Sequence, residues 1–417
     1  MSIRCLLATW LAFIVLPLLP AAQTYDLLLK GGHVIDPKNR IDERMDLAIK
    51  NGRIARIAGA IPESEARQVV AVDGCLVVPG LIDLHGHHFY GTVPHRLVSN
   101  GPYALPPDGF TLRAGVTTVV DAGGAGWSNF ALFKRQVIEP SETRVLAFLN
   151  IVGDGMTRGG EQNIDDMDPE ATARAARANP EIVGVKIAHF RGYNWEPHRR
   201  AAAAGVLADM PVMIDLGYSD VPLPLEVLFF NIYRPGDILT HMYGNPRVIT
   251  GGFKEAPVDE KGVLRPHWLR AQRAGFVFDV GHGRGSFLYA IAAPAIAQGL
   301  RPDTISTDLH AGSMNHAMKD MLNVMSKMMQ LGMSLAEVVE ASTWKPARVI
   351  HREELGHLSV GAEADVAVLR LRLGEFGFMD VDERTVPGDR RLEGELTLRA
   401  GKVAYDMNGR AGRPWGP

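Results

Sequence analysis

The sequence predicts an α/β fold, a (β/α)8 TIM barrel with a small β-sandwich formed by both chain ends. Three observations predict it. Eight strand candidates alternate with helical stretches through the middle of the chain. Short β-type segments separated by turn signals precede that region, and similar segments follow it. The 417 residues, 46% of them hydrophobic, suffice for one large domain and a smaller one.

Residues 1–23 read as a secretory signal. Arg4 precedes an apolar run from Cys5 to Pro20, too short to span a membrane comfortably, and Ala21, Ala22 and Gln23 follow. The expectation is an exported protein, periplasmic or secreted, with no stable membrane association after cleavage. An uncleaved anchor is the alternative. Cys5 leaves with the signal, so Cys75 stands alone and the mature chain has no internal disulfide.

The small β-sandwich is expected from residues 24–78 and 352–417. Its segments are Tyr25–Lys30, His33–Ile35, Asp46–Lys50, Arg53–Ile57 and Gln68–Val72, then Asp365–Leu371, Glu395–Arg399 and Lys402–Tyr405. The barrel is expected from residues 79–351. Its strands are Leu76–His85, Thr117–Ala122, Val145–Val152, Ile182–Ala188, Val212–Leu216, Asp237–His241, Val277–Gly281 and Thr304–Asp308. Helices follow at Pro169–Ala178, Glu196–Ala208, Phe287–Gln298 and Met318–Leu331. Met321, Met325, Met328 and Met329 on the last of these are core packing.

Basic and acidic residues number 44 and 47, a net charge of −3. That balance gives no electrostatic case for nucleic acid, and no basic run suggests a membrane surface. A homo-oligomer stays open.

The chemistry begins at Pro79-Gly-Leu-Ile-Asp-Leu-His85-Gly-His87-His88. Residues i and i+2 of a strand point the same way, so His85 and His87 can face one metal at the strand's C-terminal end. In a barrel, catalytic residues lie at that end. Lys186 sits among β-branched residues in Val183-Gly-Val-Lys-Ile-Ala188. A buried lysine is costly unless paired or modified, and addition of carbon dioxide would make it an anionic carbamate able to bridge two metals. Pairing with a nearby Asp is the alternative. His241 ends the sixth strand and is a candidate imidazole ligand. Asp308 ends the eighth, where a carboxylate can bind metal and take a proton from water. His310 follows two residues on, a candidate for substrate contact.

This series resembles the amidohydrolase superfamily. The motifs Gly236-Asp-Ile-Leu-Thr-His241, Phe278-Asp-Val-Gly-His-Gly-Arg-Gly-Ser286 and Asp303-Thr-Ile-Ser-Thr-Asp-Leu-His310 resemble, more narrowly, its deacetylase, dihydroorotase-related branch. So do Thr343-Trp-Lys-Pro-Ala-Arg348 and Gly361-Ala-Glu-Ala-Asp-Val366. The resemblance implies one or two divalent metal ions, usually zinc. His85, His87, Lys186 and Asp308 would surround one; the Lys186 carbamate, a fifth-strand His and His241 would surround the other. It implies hydrolysis of an amide or ester bond by metal-activated water, with Asp308 as proton shuttle. The substrate class would be a small carboxylated molecule carrying an acetyl or similar acyl group. A cyclic amide hydrolase and a non-catalytic binding protein on an inactivated barrel are the rival readings.

One position departs from the family. Asp215 stands where the fifth strand would carry His. Asp also binds zinc through oxygen, so a second metal stays compatible with it. His189, three residues beyond Lys186, could substitute only if its strand ended early. In the loop after strand seven, His282 resembles a residue of the family that binds substrate or stabilises the transition state. Arg158, Arg191 and Arg284 are candidate carboxylate clamps on loops of the same face.

Overall fold

The chain crosses from one sheet to another at Gly80. The computed structural model describes residues 23–91, 103–157, 159–247, 252–413 and 415, so all of the expected 1–23 signal but Gln23, and Arg158, lie outside the described residues. The single expected strand Leu76–His85 is two strands. Leu76–Pro79 joins the end sheet and Leu81–Gly86 opens the central one. A Cβ at Gly80 would come within 2.1 Å of Thr117 Oγ1, so only glycine lets the chain turn there.

Both chain ends build one sheet. Its strands are β1 (Tyr25–Asp36), β2 (Ile41–Lys50), β3 (Arg53–Ala58), β4 (Ala66–Ala71) and β5 (Leu76–Pro79), with β13 (Val366–Met379), β14 (Thr385–Arg399) and β15 (Lys402–Asp406) from the far end. The order is β15-β14-β13-β5-β1-β2-β3, with β4 also on β1. Both chain ends thus form a sheet of their own, as expected, and it is one branched sheet. The branch arises on β1, where the two segments expected around Gly31 and Gly32 are one strand with an irregular register between Leu29 and Gly32. Before that point β1 pairs with β4, and after it with β5. Leu29, Val34, Val77, Val366, Val368 and Leu396 share one core across the two ends, with the free thiol of Cys75 buried among them.

The central sheet is all parallel, in the order β12-β11-β10-β9-β8-β7-β6. After β6 (Leu81–Gly86) come β7 (Val116–Gly126), β8 (Arg144–Asn150), β9 (Ile182–Ala188), β10 (Val212–Asp215), β11 (Ile238–Leu239) and β12 (Val277–Phe278). Seven of the eight expected strands are therefore present. The eighth, Thr304–Asp308, forms no ladder. Single parallel bridges join Thr304 to Asp279 on one side and Leu309, the next residue after the segment, to Gly86 on the other. Its Thr304, Ser306 and Thr307 carbonyls accept from Val280, His282 and Gly283 N, while Thr307 N donates to Asp83 Oδ1 at 3.0 Å. Ile82, Leu84, Val120, Ala122, Phe148 and Met213 form a separate apolar cluster between the strands. Toward the strand ends the same faces turn polar, from Phe148 to Asn150 and from Met213 to Asp215.

Helices Pro169–Ala178, Glu196–Ala208, Tyr289–Ala297 and Met321–Gln330 match the expected ones within three residues. Met321, Met325, Met328 and Met329 are buried in the main core, as expected. Among the described residues no helix is long and apolar enough to cross a membrane.

Candidate metal centre

The polar ends of these strands converge. His87 Nε2 lies 2.9 Å from Asp308 Oδ1, and His85 Nε2 lies 3.6 Å from the same atom. Asp215 Oδ2 lies 3.4 Å from His241 Nε2 and 3.6 Å from Lys186 Nζ. Five of the six are buried, and the His241 side chain is 8% exposed. Two sets offer ligand atoms within 4.8 Å of one another: His85, His87 and Asp308, and His85, Asp215 and His241. Sequence reasoning named all six, and the fold brings them together.

The imidazoles are set for metal. Thr240 Oγ1 donates to Asp279 Oδ2 at 2.8 Å, so it accepts from His85 Nδ1 at 2.9 Å. His241 Nδ1 donates to Gly281 O at 2.5 Å. Each Nδ1 keeps its proton, which leaves each Nε2 lone pair for the site. Asp279 is itself pinned by Thr304 and Ser306. Sequence reasoning missed this supporting layer. The available signal was a carboxylate inside the apolar run of Phe278-Asp-Val280, the same anomaly that marked Lys186.

Two atoms here are orphaned. His85 Nε2 and Lys186 Nζ are buried with no hydrogen-bond partner. A buried polar atom without a partner costs about 1–3 kcal/mol. An oxygen- and nitrogen-binding divalent cation would satisfy His85, and a carbamate would convert Lys186 into a further oxygen ligand. The residues therefore fit the group that the sequence implied.

Electrostatics agree. Burial drives the His85 ring toward its neutral form, and the nearby Lys186 adds to that. Burial opposes ionisation of Asp308, but the imidazoles of His85 and His87 outweigh it and hold the carboxyl below the usual range. Burial opposes Asp215 in the same way and is overcome by His241, His189 and Lys186. A His85 ring driven toward neutrality beside ionised carboxylates suits metal ligation.

The backbone is strained here. His241 and Asp308 adopt φ of 59° and 52°, a region non-glycine residues rarely visit and which costs on the order of 1–3 kcal/mol each. Gly281 and Gly283 make room for them. A Cβ at Gly283 would lie 2.2 Å from Asp308 Oδ2, and one at Gly281 would lie 2.8 Å from His241 Nδ1. The glycines of this loop thus let backbone approach the candidate ligands.

Other expected residues lie elsewhere. The structure does not bring the His282 ring into the ligand group. The ring is buried and stacked on Phe287 at 4.7 Å. Its Nδ1 donates to Gly283 O at 2.9 Å and its Nε2 accepts from Lys327 Nζ at 2.7 Å. Both ring nitrogens are thus occupied, by Gly283 O and Lys327 Nζ. His310 stands beside the site, its Nε2 3.9 Å from Asp308 Oδ2 and its Nδ1 accepting from Gly312 N. Arg284 is exposed and packs near Gly312. Arg191 is exposed, its backbone N donating to Gln162 Oε1. His189 is half-exposed beside the site. Its Nε2 lies 3.4 Å from Asp215 Oδ2 and its Nδ1 lies 2.8 Å from Glu161 Oε2. Burial is overcome there by the two carboxylates, which push the ring up to about 9. Glu161 was not singled out in the sequence.

Comparisons with known proteins give the same picture. Residues 289–396 match the model of the Amidohydrolase family. A deacetylase of Agrobacterium fabrum is 33% identical over 330 residues, covering 77% of this chain and 77% of its own. A deacetylase of Enterococcus faecalis is 27% identical over 92% of this chain and 99% of its own. Among solved structures, an adenine deaminase superposes with a TM-score of 0.79 at 26% identity, covering 92% of this chain and 100% of that one. A dihydroorotase superposes with a TM-score of 0.76 at 30% identity, covering 90% and 97%.

Proposed function

The chain belongs to the amidohydrolase family and is a hydrolytic enzyme; from that premise we propose that it removes an acyl group from a small carboxylated substrate, using one or two divalent metal ions, zinc first among them. The observation that carries this reading is the pair of ligand sets that share His85. A divalent ion held there supplies Lewis acidity and lowers the pKa of water to about 7.

The chain's own residues do the rest. His85, His87 and Asp308 form one set of donors, and Asp215 and His241 the other with His85. Lys186 Nζ, which has no competing hydrogen bond, takes up carbon dioxide as the neutral amine: the ammonium first gives a proton to solvent, the nitrogen bonds the carbon, a second proton leaves to solvent, and an anionic carbamate results. Asp308 accepts the proton of the attacking water and returns it to the leaving amine or alcohol. Its ionised state supports the first half of that role. The irregular segment Thr304–Asp308, bridged on both sides, closes the parallel sheet into an eight-membered barrel and carries this base at its end. The signal read in residues 1–23 supports a location for this chemistry outside the cytoplasm.

Cyclic amide hydrolysis is the second reading, favoured by the likeness to a dihydroorotase. Metal analysis together with hydrolysis of N-acyl, O-acyl and cyclic amide substrates tests both. Turnover of the acyl compounds, lost on chelation and restored by metal, is expected. Turnover confined to cyclic amides selects the second reading, and turnover that ignores chelation overturns both.

A further inference from the structure

Sequence reasoning passed over Lys254. The residue is 8% exposed. Among the described residues its ammonium has no hydrogen bond and no carboxylate in ion-pair range; its one recorded contact is with the ring of Tyr218, whose centroid lies 5.1 Å away. A cation over an aromatic face gains about 0.5–2 kcal/mol, less than the several kcal/mol that desolvating an ammonium costs. An unpaired buried cation of this kind calls for an anion.

Its position says which anion. Phe253 pairs both ways with Ser219, at 2.7 and 3.2 Å, and Lys254 N donates to Pro246 O at 3.0 Å. These bonds tie the segment to the chain leaving β10 and to the chain leaving β11. Tyr218 lies three residues beyond Asp215, and Gly244 three beyond His241. A Cβ on Gly244 would stand 2.8 Å from Lys254 Nζ and 3.0 Å from His241 O. The ammonium therefore sits between the segments that leave two candidate ligands. The Tyr218 hydroxyl donates its one proton to Asn245 O at 3.0 Å. The Lys254 ammonium beside Gly244 is a single point charge without a second donor fork. That arrangement suits a singly charged carboxylate and disfavours a dianion.

We propose that Lys254 is the anchor for the substrate's carboxylate and so determines specificity for anionic acyl compounds. The proposal rests on the hydrolase reading above for the identity of the site. It predicts that charge, and not shape, separates good ligands from poor ones. N-acetylated amino acids and their carboxamides are matched probes, because they differ in charge and little else. Dissociation constants by calorimetry and kcat/KM are measured for both probes on the wild type, Lys254→Met and Lys254→Arg. A charge-assisted hydrogen bond corresponds to about a 10- to 100-fold preference for the acid. That preference is expected in the wild type, absent in Lys254→Met, and partly recovered in Lys254→Arg. A purely structural lysine would weaken both probes together and leave the ratio unchanged. An unchanged ratio in Lys254→Met, or a wild type indifferent to charge, overturns the proposal. Turnover of both probes without preference sinks the anchor and spares the hydrolase. Charge-selective binding lost in Lys254→Met, without turnover of either probe, sinks the hydrolase reading and spares the anchor.

Discussion

Lys327 Nζ and His282 Nε2 lie 2.7 Å apart, both fully buried, and the amine also donates to Ala317 O and Met379 O. All three of its donors are taken, yet no carboxylate accepts one. Burial therefore dominates and, with Lys319 adding to it, pulls the amine down to about 7 from its ordinary 10.5. A base weakened in the folded state binds fewer protons there than when unfolded. The penalty is complete below pH 7 and is relieved as pH rises toward 10.5. The wild type is thus expected to gain stability relative to Lys327→Met between pH 7 and 10. Urea unfolding across that range reads the difference; a constant offset between the two proteins would contradict it.

Asp308→Asn is expected to slow turnover by about 100-fold or more, the usual contribution of an acid–base group. His85 and His87 remain, so metal analysis should find the first ion retained. Near-normal turnover with full metal would remove Asp308 from the proton path.

Asp215 is expected to hold metal through oxygen. Asp215→Ala should lower the second-metal stoichiometry and activity together. Asp215→His should keep the metal and shift its preference toward softer ions. If Asp215→Ala leaves both stoichiometry and turnover as they were, the carboxylate is structural and the site holds one ion.

Chelation is expected to lower the melting temperature, because the buried ligands bind metal in the folded chain alone. A site saturated 100-fold above its dissociation constant contributes about 2.7 kcal/mol. Bicarbonate should speed reconstitution of the wild type and do nothing for Lys186→Ala. Calorimetry with and without bicarbonate checks both, and equal rates in the two proteins would exclude a carbamate on Lys186.

The candidate ligands were legible because each sits at a strand's end in a local pattern. His85 and His87 share a strand face, and Lys186 and Asp308 break apolar runs. Their supports were not legible, since contact is made across the chain: Thr240 reaches His85 over 155 positions. The loop around His282 reads as glycine-rich, but nothing local says that the ring turns toward Lys327. Lys254 was hidden because its partner is a ring face on another loop. The end sheet was foreseen in its strands and missed in its branching, since the register change on β1 is set by which neighbours arrive.

That end sheet has a consequence for biosynthesis. β5 lies between β1 and β13, and it pairs with β13 from Leu76 to Pro79. On the ribosome β5 emerges long before β13 exists. At roughly 5–20 residues per second, its outer edge waits on the order of tens of seconds for its partner. An open strand edge of that kind invites pairing with other chains. The nascent chain therefore carries an adhesive seam until its last strands arrive, and a factor that shields β5 during that interval would raise the yield of native protein.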